Sequence, residues 1–573
     1  MSFASKSQST VDKNDDLFFK VNDFSLIDQT GRIHQFSRMT TSKYLFFYSY
    51  SIGCPIARKN IPAINLLSRK FKKTDVKFYY LDSATQDTRD LINEEVNSFH
   101  IDLPILLDDT QEIARQLHIN RTGEAIILDS KTLKILFRGP LDDRQTYTSE
   151  KAVASHNYAQ DALSSLIRKK KIKNRYINSL GCAITIRPRM KVNFFNDIAP
   201  ILEKKCASCH QAQEIPPTNF FNYENAKHWS TMIKEVIQTE RMPPWEVDSV
   251  FPVINQKMLT SAEKESIYSW IDIEMPMGKI EDFKEKSEDN AVTPKESEFN
   301  FSWQQKSSVK IKANDQNLFH HELLDVNNED DYWISSINTH AELSSKGIIQ
   351  HSALFIASSD LNFSNGEFSP LLNLDKIYNV IPLPNRNFPL RFNKNKIAYR
   401  IPKGARVYLE THFAKTGRDE EARVKIIMEK SKERGNLKEA FHDARLSLRT
   451  FQIPPNTESF TLKKEITFDS DVSIYELAPH MHLRGTFGRL YIQEPESNVS
   501  KLVFSSRYIF KNRLIYKLVE PIKIKKGTIV RAELEYDNSS GNLANIDFRK
   551  NVYFGEDANK NEMMIMHLFY TKD

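Results

Sequence analysis

The chain has 573 residues, of which 40% are hydrophobic and 11% are aromatic. This length predicts about three or four domains, and the composition excludes wholesale disorder. The 80 Lys and Arg residues nearly balance the 74 Asp and Glu residues, for a net charge of +6, so we expect no nucleic-acid partner. No apolar run reaches the roughly 18 residues that a membrane-spanning helix needs, so we expect no integral membrane segment.

Strands and helices alternate along residues 17–167. Tyr44–Tyr50 and Val76–Leu81 are apolar runs typical of buried strands, and a helical pattern of apolar residues follows Cys54. Two further apolar runs within 125–138 predict a hairpin. This alternation predicts an α/β domain built on one sheet.

Cys54 lies where the first of these strands meets its helix, and Pro55 follows it. The helix N-terminus and the nearby Arg58 would both favour a thiolate at this position. Residues 17–165 resemble the redoxin branch of the alkyl-hydroperoxide-reductase superfamily. The resemblance implies a thioredoxin-like, peroxiredoxin-like fold and a catalytic, redox-active Cys54.

Several positions depart from the patterns of that superfamily. Ala57 stands where a Cys-x-x-Cys enzyme has its second thiol, which argues against a dithiol oxidoreductase of that type. Gly123 occupies the place of the usual cis-proline. Ser51 fits the Thr of the peroxiredoxin Pro-x-x-x-Thr-x-x-Cys pattern, but Phe47 replaces its Pro. A thioredoxin-like fold kept as a scaffold is therefore an alternative.

Another thiol, Cys182, follows Gly181 in the polar stretch 168–190, which we predict to be a linker. Cys182 is a candidate resolving thiol, and so a second catalytic residue, for Cys54. A static disulfide between the two and a pair of free thiols are the alternatives.

The run Cys206-Ala207-Ser208-Cys209-His210 suits covalent attachment of one haem c. The sulfurs of Cys206 and Cys209 can each add to a haem vinyl group, and His210 can bind the iron from one side. Half of a zinc site is the alternative, but the remaining cysteines of the chain do not form the second ligand pair that zinc would need.

The second axial ligand to the iron is predicted at Met242, which lies in a stiff turn with two prolines. A core methionine is the alternative role, and His228 is a competing ligand. A final helix is predicted to begin at Thr260 or Ser261. These features are typical of a small all-α, class-I-like cytochrome c domain at 191–280.

Haem attachment to this motif takes place outside the cytoplasm, so we expect a periplasmic or otherwise extracytoplasmic protein. The first residues show neither the basic nor the apolar part of a signal segment. A removed signal, a misplaced start and an absent haem are the possible explanations.

Beyond the polar stretch 279–299, short runs rich in Val, Ile, Tyr and Phe are separated by turns. This pattern predicts an all-β half that consists of two jelly-roll or sandwich domains. The predicted domain boundaries are 17–167, 191–280, 301–435 and 436–573.

This C-terminal half holds a sparse set of candidate metal ligands. His480 and His482 lie two positions apart, so in a strand they share one face and suit copper, zinc or iron. A thioether from the stretch around Met563 would favour Cu(I). His351 and His412 each lie in a strand-like run, where an ordinary strand histidine is the alternative.

Together these motifs resemble the copper type II, ascorbate-dependent monooxygenases over residues 310–573. That family contains the peptidylglycine α-hydroxylating and dopamine β-monooxygenases, and the resemblance implies two jelly rolls with a copper on each. His480, His482 and Met563 match the ligands of the oxygen-binding copper. The order of redoxin-like, cytochrome c and copper domains also resembles a bacterial multidomain architecture.

The same resemblance implies an electron-transferring copper on His351 and His412. Gln350 stands where the family has the first member of a His-His pair. A Gln amide oxygen is a poor ligand for Cu(I), so we expect one or two coppers.

These features leave three functions open. The main prediction is a haem- and copper-dependent oxidoreductase, a monooxygenase that uses dioxygen to hydroxylate a C–H bond of a small-molecule or peptide substrate. Its electrons would come from the tethered haem or an external donor. The second is a thiol peroxidase, in which Cys54 attacks a peroxide and Cys182 resolves the sulfenic acid. The third is a non-catalytic electron-transfer or metal-binding protein.

Overall fold

The computed structural model describes most of the chain between residues 17 and 572. The described residues are 17–38, 42–145, 149–207, 210, 222–243, 247–254, 258–279, 301–313, 318–324, 326, 328–342, 348–361, 376–384, 390–391, 397–413, 417–430, 438–439, 442–510, 514–542, 544–555 and 557–572. Within these ranges, no helix is both long enough and apolar enough to cross a bilayer.

The N-terminal part is a mixed sheet with helices on both faces. Its strands are β1 Ser25–Asp28, β2 Ile33–Gln35, β3 Tyr44–Tyr50, β4 Val76–Asp82, β5 Ile105–Leu107, β6 Ala125–Asp129 and β7 Ile135–Gly139. Its helices are α1 Pro55–Lys70, α2 Arg89–Phe99, α3 Glu112–Gln116 and α4 Tyr158–Ile167, with a short 3-10 helix at Phe36–Arg38. In space the strands follow the order β2-β1-β5-β4-β3-β6-β7.

Strand β3 lies inside this sheet, parallel to β4 and antiparallel to β6. Its residues alternate between two hydrophobic cores: Tyr48 packs with α1 and α4, and Phe47 packs with α3 on the opposite face. Because both faces are covered, the strand reads as one continuous apolar run. The predicted strands β3 and β4 and the predicted β6–β7 hairpin are confirmed.

Residues 175–187, part of the stretch predicted as a linker, lie along the edge of this sheet beside β7. This segment is termed the strap. Backbone bridges join Tyr176 of the strap to Arg138, and Ala183 to Arg121. Ile184 is buried within the core on the α3 face. The N-terminal fold therefore extends past residue 167 to include the strap.

A helical region follows the strap. Its helices are α5 Ala199–Leu202, α6 Tyr223–His228, α7 Ser230–Gln238 and α8 Ser261–Asp272, with π-helical turns at Phe194–Ile198 and Glu203–Ala207. Phe194, Ile237 and Trp270 belong to its core. Helix α8 begins with a capping box, in which the Thr260 hydroxyl accepts from the Glu263 N–H and the Glu263 carboxylate accepts from the Thr260 N–H. Of the two predicted starts, Thr260 and Ser261, Thr260 is therefore the cap.

The prediction that this region is purely α-helical is wrong. Strand β8, Val247–Ser249, leaves it and pairs with a strand of the C-terminal half. The pairing is possible because the chain between α7 and α8 runs along the edge of that sheet. A cytochrome c fold for residues 191–280 stays a prediction.

The first β-sandwich begins at residue 301. Its strands are β9 Phe301–Gln304, β10 Val309–Ile311, β11 Leu318–Leu324, β12 Tyr332–Glu342, β13 Ile349–Ala357, β14 Ile377–Pro384, β15 Leu390–Arg391, β16 Ile397–Ile401, β17 Arg406–Phe413, β18 Glu420–Lys430 and β19 Lys438–Glu439. One sheet has the order β10-β18-β12-β16-β19, with β9 on β18 and β15 on β12. The other sheet has the order β11-β17-β13-β14.

The second β-sandwich completes the chain. Its strands are β20 His442–Leu448, β21 Gln452–Ile453, β22 Thr457–Thr467, β23 Val472–His480, β24 Gly485–Gln493, β25 Lys501–Arg507, β26 Tyr516–Ile524, β27 Ile529–Asn538, β28 Val552–Tyr553 and β29 Met564–Lys572. Its main sheets have the orders β20-β29-β23-β26 and β22-β27-β24-β25-β8. The β-sheet structure predicted beyond residue 300 is confirmed.

Candidate redox-active thiol pair

Cys54 occupies the N-cap position of α1, just after the loop that leaves β3. Pro55 begins the helix, a position that suits proline because its missing N–H is not needed there. Cys54 is 3% exposed. The thiol therefore lies at a helix N-terminus, where the helix dipole favours a thiolate.

The strap places Cys182 against Cys54. The two Sγ atoms are 2.9 Å apart, and the thiol of Cys182 donates to the sulfur of Cys54. Both are free thiols, and Cys182 is exposed whereas Cys54 is buried. Because the residues lie 128 positions apart in the chain, the course of the strap is what brings them together.

Thr122 also contacts this pair, and sequence reasoning missed it. Its Oγ1 lies 3.0 Å from the Sγ of Cys54. The same oxygen accepts a hydrogen bond of 2.9 Å from the N–H of Cys182, and the Thr122 N–H donates to the Cys182 carbonyl at 2.9 Å. A hydroxyl that accepts from the strap can donate its own proton to the sulfur of Cys54. Thr122 therefore contacts the thiol of one cysteine and the backbone of the other.

Two glycines allow the strap to come this close. At Gly181, a Cβ would lie 1.9 Å from the carbonyl oxygen of Thr122. Gly123 has a φ of +78°, and a Cβ there would lie 2.8 Å from the carbonyl oxygen of Leu180. The glycine found in place of the cis-proline therefore makes room for the strap.

The surroundings of the two thiols shift their pKa values in opposite directions. Burial raises the pKa of Cys54, but hydrogen bonds from the Cys182 thiol, the Thr122 hydroxyl and the Ala57 N–H outweigh it, so the net pKa is lowered. The pKa of Cys182 is raised by burial, by its hydrogen bond to Cys54 and by repulsion from a charge on Cys54. Cys54 is therefore the thiolate of the pair and Cys182 the protonated partner.

The polar residues expected to assist Cys54 are engaged elsewhere. Arg58 forms a two-pronged ion pair with Glu95, with both N···O distances 2.7 Å. The Ser51 hydroxyl donates to Asp87 at 3.0 Å. Because Glu95 neutralises the guanidinium of Arg58, that charge does not favour the Cys54 thiolate as expected. The local hydrogen bonds to Cys54 favour it instead.

A pocket of about 200 Å³ lies beside the thiol pair. Its lining includes Ile56 near the start of α1, Gly123, and Ile177 and Leu180 of the strap. The pocket adjoins the part of the strap that precedes Cys182, and neither cysteine lines it.

The predicted haem ligands lie in the helical region. Cys206 is half-buried and packs against the helical core. Met242 is half-buried at the end of α7, where its N–H donates to the carbonyl of Val236 at 3.0 Å. Cys209 and residues 211–221 lie outside the described residues, whereas His210 is described and half-buried. Haem attachment stays a prediction.

The structure brings His480 and His482 together by a turn. Strand β23 ends at His480, and His482 lies in the turn that follows, so the expected strand alternation does not apply. The two ring centroids are nevertheless 5.8 Å apart. The Nδ1 of His482 lies 3.0 Å from the carbonyl oxygen of Asn561, a contact that orients the imidazole ring.

The buried carboxylate of Glu562 ties the predicted ligand Met563 to this turn. It accepts from the N–H groups of His482 at 2.7 Å, Arg484 at 2.8 Å and Met563 at 3.3 Å. Burial raises the pKa of Glu562 to about 7, although these N–H groups and the Arg484 charge act in the opposite direction. Sequence reasoning missed the role of Glu562, whose signal is its place directly before Met563.

In the first sandwich, His412 of β17 is fully buried and lies opposite His351 of β13. A register shift between Ile349 and His351 places Gln350 at a bulge next to this pair. The side chains of Gln350 and His351 lie outside what the structure describes. Among the described residues, no three His, Cys, Asp or Glu side chains are grouped so as to hold a metal ion.

The comparisons with known proteins concern the N-terminal part. The α/β sheet with a cysteine at the start of α1 is a thioredoxin-like redoxin fold, and residues 19–137 match the AhpC/TSA family. The N-terminal part is therefore a redoxin domain of the AhpC/TSA family, which indicates oxidoreductase activity in general terms. The match does not reach the residues predicted to bind haem or copper.

Several solved structures resemble the chain. A hypothetical protein from Sinorhizobium meliloti is 18% identical, with 29% of this chain and 92% of that chain covered and a TM-score of 0.27. Peroxidoxin BcpB from Mycobacterium tuberculosis is 18% identical, with coverages of 26% and 94% and a TM-score of 0.21. A putative thiol:disulfide interchange protein DsbE from Chlorobium tepidum is 18% identical, with coverages of 26% and 95% and a TM-score of 0.21. No curated protein matches the chain.

Proposed function

We propose that the redoxin domain is a dithiol–disulfide oxidoreductase whose redox couple is Cys54 and Cys182. The observation that carries this proposal is the 2.9 Å separation of the two sulfur atoms, with Thr122 in contact with both residues. The argument from Ala57 against a Cys-x-x-Cys enzyme still holds, since the second thiol is supplied by the strap instead.

The exposure of the two sulfurs sets the order of the steps. Starting from the Cys54–Cys182 disulfide, a thiolate of an external dithiol attacks the exposed sulfur of Cys182, and the S–S bond to Cys54 breaks. Cys54 leaves as a thiolate, stabilised by Thr122 and the helix N-terminus. The second thiol of the partner then attacks the mixed disulfide and releases Cys182. Two electrons and two protons pass from the partner dithiol to the protein couple.

This order differs from one in which the cysteine at the helix N-terminus meets the substrate first. Cys54 is 3% exposed and lies behind Cys182, so a protein partner reaches only Cys182. The mixed disulfide is therefore formed on the strap. The sulfur with the lower pKa is the leaving group, which is the faster arrangement for thiol–disulfide exchange.

The experiment that tests this proposal is trapping of the mixed disulfide in two matched variants. Cys54→Ser leaves the exposed Cys182 as the attacking thiol, and we expect it to form a stable mixed disulfide with an oxidised dithiol peptide. Cys182→Ser leaves only the buried Cys54, and we expect much slower trapping. Peptide mass spectrometry identifies the modified cysteine, and preferential trapping on Cys54 would contradict the proposed order.

Peroxide reduction is the competing thiol chemistry. There the Cys54 thiolate would attack the O–O bond and release an alcohol or water, and Cys182 would convert the sulfenic acid to the disulfide with loss of water. The burial of Cys54 and the contact of Ser51 with Asp87 favour exchange instead. Stopped-flow measurement with a hydroperoxide decides: rapid Cys54-dependent consumption would replace exchange by peroxide reduction.

The C-terminal sandwich supports a copper site as a second candidate function. His480, His482 and Met563 would hold the ion, because two imidazoles and a thioether suit Cu(I) and Glu562 ties the two segments together. When bound, copper would supply the activation of dioxygen that the monooxygenase prediction requires. The carbonyl of Asn561 orients the imidazole ring of His482, as backbone carbonyls commonly do for histidines that bind metal ions.

Elemental analysis tests this second candidate. We expect copper to be bound by the full chain and lost in His480→Ala. His567→Ala is the matched control, since His567 lies in β29 of the same sheet and stacks on Phe569 at 6.0 Å. Equal copper in all three proteins, or none in any, would remove the copper site. The iron content of the same samples tests the haem prediction.

A further inference from the structure

The strap is held to the redoxin domain on both sides of Cys182. Before Cys182, the Ile177 N–H donates to the Arg138 carbonyl at 3.1 Å, and after it the Ile184 N–H donates to the Asn120 carbonyl at 2.9 Å. Cys182 itself exchanges hydrogen bonds with Thr122. The cysteine therefore sits at the middle of a paired segment and not at the tip of a free loop.

The far end of the strap reaches the helical region. Glu112, at the start of α3 in the redoxin domain, accepts from Arg189 at 2.6 Å and lies 3.3 Å from the Nζ of Lys234 on α7. Arg189 also pairs with Asp272 of α8. One arginine just beyond the strap thus contacts carboxylates of both regions.

A second carboxylate forms the same kind of junction. Glu265 of α8 lies 3.6 Å from the guanidinium of Arg187, which ends the strap, and 3.7 Å from that of Arg115 in the redoxin domain. Glu265 is 6% exposed and Glu112 is 5% exposed. If the strap left, Glu112 would keep Lys234 and Glu265 would keep Arg115, but each would lose one of its two cations. Loss of a cationic partner from a buried carboxylate is destabilising, so this junction depends on the position of the strap.

We propose that the strap links the redox state of the Cys54–Cys182 couple to the docking of the helical region. When the two sulfurs are bonded, the strap cannot leave the sheet edge, and Arg187 and Arg189 stay at the junction. When they are reduced, the strap is held by hydrogen bonds, each of about 1 kcal/mol, and by the packing of Ile177 and Ile184, without the covalent bond, so it opens more often. Opening withdraws both arginines from the buried Glu112 and Glu265. This inference rests on the proposed couple.

Hydrogen–deuterium exchange of the full chain tests the link in two samples. In one sample the protein is oxidised. In the other it is treated with a dithiol, which reduces the Cys54–Cys182 disulfide and becomes a disulfide itself. We expect exchange of residues 175–187, 230–238 and 261–272 to be at least about tenfold faster after reduction, as loss of a local crosslink predicts. Residues 457–467, in the second sandwich, serve as the internal reference and should not change.

Matched variants separate the link from other effects of the reductant. In Cys182→Ser the three segments should exchange at the fast rate with and without the dithiol. Because this variant keeps the thiols of the haem motif, any remaining response to the dithiol would be assigned to them. In Arg187→Gln/Arg189→Gln the strap should still respond, while 261–272 should exchange rapidly in both states. A change in the hydrogen exchange of the strap on reduction would also show that the redoxin domain of this double variant is folded.

The outcomes distinguish the link from the proposed function. If mass spectrometry finds no Cys54–Cys182 disulfide in the oxidised chain, the proposed couple is wrong. If the disulfide forms and the strap responds, but 261–272 exchanges equally in both states, the couple stands and the link is wrong. Faster exchange in all three segments, absent in Cys182→Ser, supports the link.

Discussion

The thiol pair of the redoxin domain and the histidine pair of the second sandwich are built alike. In each, a residue that follows a strand contacts a segment brought from far along the chain: Cys54 contacts Cys182 of the strap, and His482 contacts Asn561 and Glu562. One polar side chain ties the distant segment in place, Thr122 for the thiols and Glu562 for the histidines.

The two sites differ in what completes them. The reacting atoms of the thiol pair are already in contact, and the side chain that contacts both residues is a neutral hydroxyl. The histidine site is organised by a buried carboxylate whose pKa is raised to about 7 by burial, and its proposed chemistry requires an ion. In the thiol couple, contacts within the protein bring the reacting atoms together. In the metal site, the protein supplies the donor atoms and the groups that position them, and the proposed chemistry still requires the ion.

The largest effect is expected from variants that test whether the thiol pair and the histidine site act independently. Cys54→Ser and Cys182→Ser should each reduce turnover of a disulfide substrate to the uncatalysed background, because each removes one of the two reacting sulfurs. His480→Ala should leave that turnover unchanged. Turnover is followed by fluorescence of a labelled disulfide peptide. Loss of thiol turnover in His480→Ala would show that the two regions act as one site.

The second test removes the residue that organises the histidine site. Glu562→Gln should weaken copper binding by about 10- to 100-fold, the usual effect of losing a group that orients a ligand. The measurement is competition for copper with a chelator of known affinity. Its control is Glu533→Gln on β27, which changes a buried carboxylate of the same sandwich that pairs with Lys463 and Arg531. Equal weakening in both variants would assign the effect to stability of the sandwich.

The third test displaces the strap sterically. Gly181→Ala places a Cβ where the Thr122 carbonyl oxygen is 1.9 Å away, so the strap must shift at a cost of about 1–3 kcal/mol. Alkylation of Cys54 by a bulky maleimide, measured by peptide mass spectrometry, should accelerate about 5- to 150-fold. Gly404→Ala, in a turn of the first sandwich, is the control: its φ of +72° makes alanine strain the backbone there, but no atom within 4 Å would clash with the added Cβ. An unchanged alkylation rate in Gly181→Ala would contradict the close packing of the strap.

The smallest effect concerns the hydroxyl of Thr122. Thr122→Val removes a hydrogen bond that lowers the pKa of Cys54, so that pKa should rise. At neutral pH the thiolate fraction then falls, and alkylation of Cys54 by iodoacetamide should slow. Above both pKa values the rates should converge. Thr122→Ser keeps the hydroxyl and should restore the profile; a valine profile that is not shifted would remove Thr122 from the site.

Local patterns predicted much of the fold, and the sequence offered Cys54 and Cys182 as a candidate thiol pair but not Thr122. The apolar run of β3, the hairpin and the Thr260 cap depend on residues close in sequence, so their patterns are visible there. The contact of Cys182 with Thr122 joins segments 60 positions apart and leaves no local period. In the sequence, Gly181 and Gly123 indicate this contact, because a glycine allows a close approach of two backbone segments but does not identify the second segment.

The histidine site shows the same division. Spacing predicted that His480 and His482 lie together, and their rings are 5.8 Å apart, but a turn and not a strand brings them there. Turns of this kind are set by tertiary hydrogen bonds, here those of Glu562, which periodicity does not encode.

Strand β8 has a practical consequence for dissecting this protein. It belongs to the helical region in sequence, yet Val247 pairs with Ser506 and covers the edge of β25. A fragment that starts near residue 300, where the all-β pattern begins, would expose the backbone donors and acceptors of that edge. Open edges of this kind pair with other chains, so the isolated C-terminal half should aggregate unless the fragment begins before residue 247.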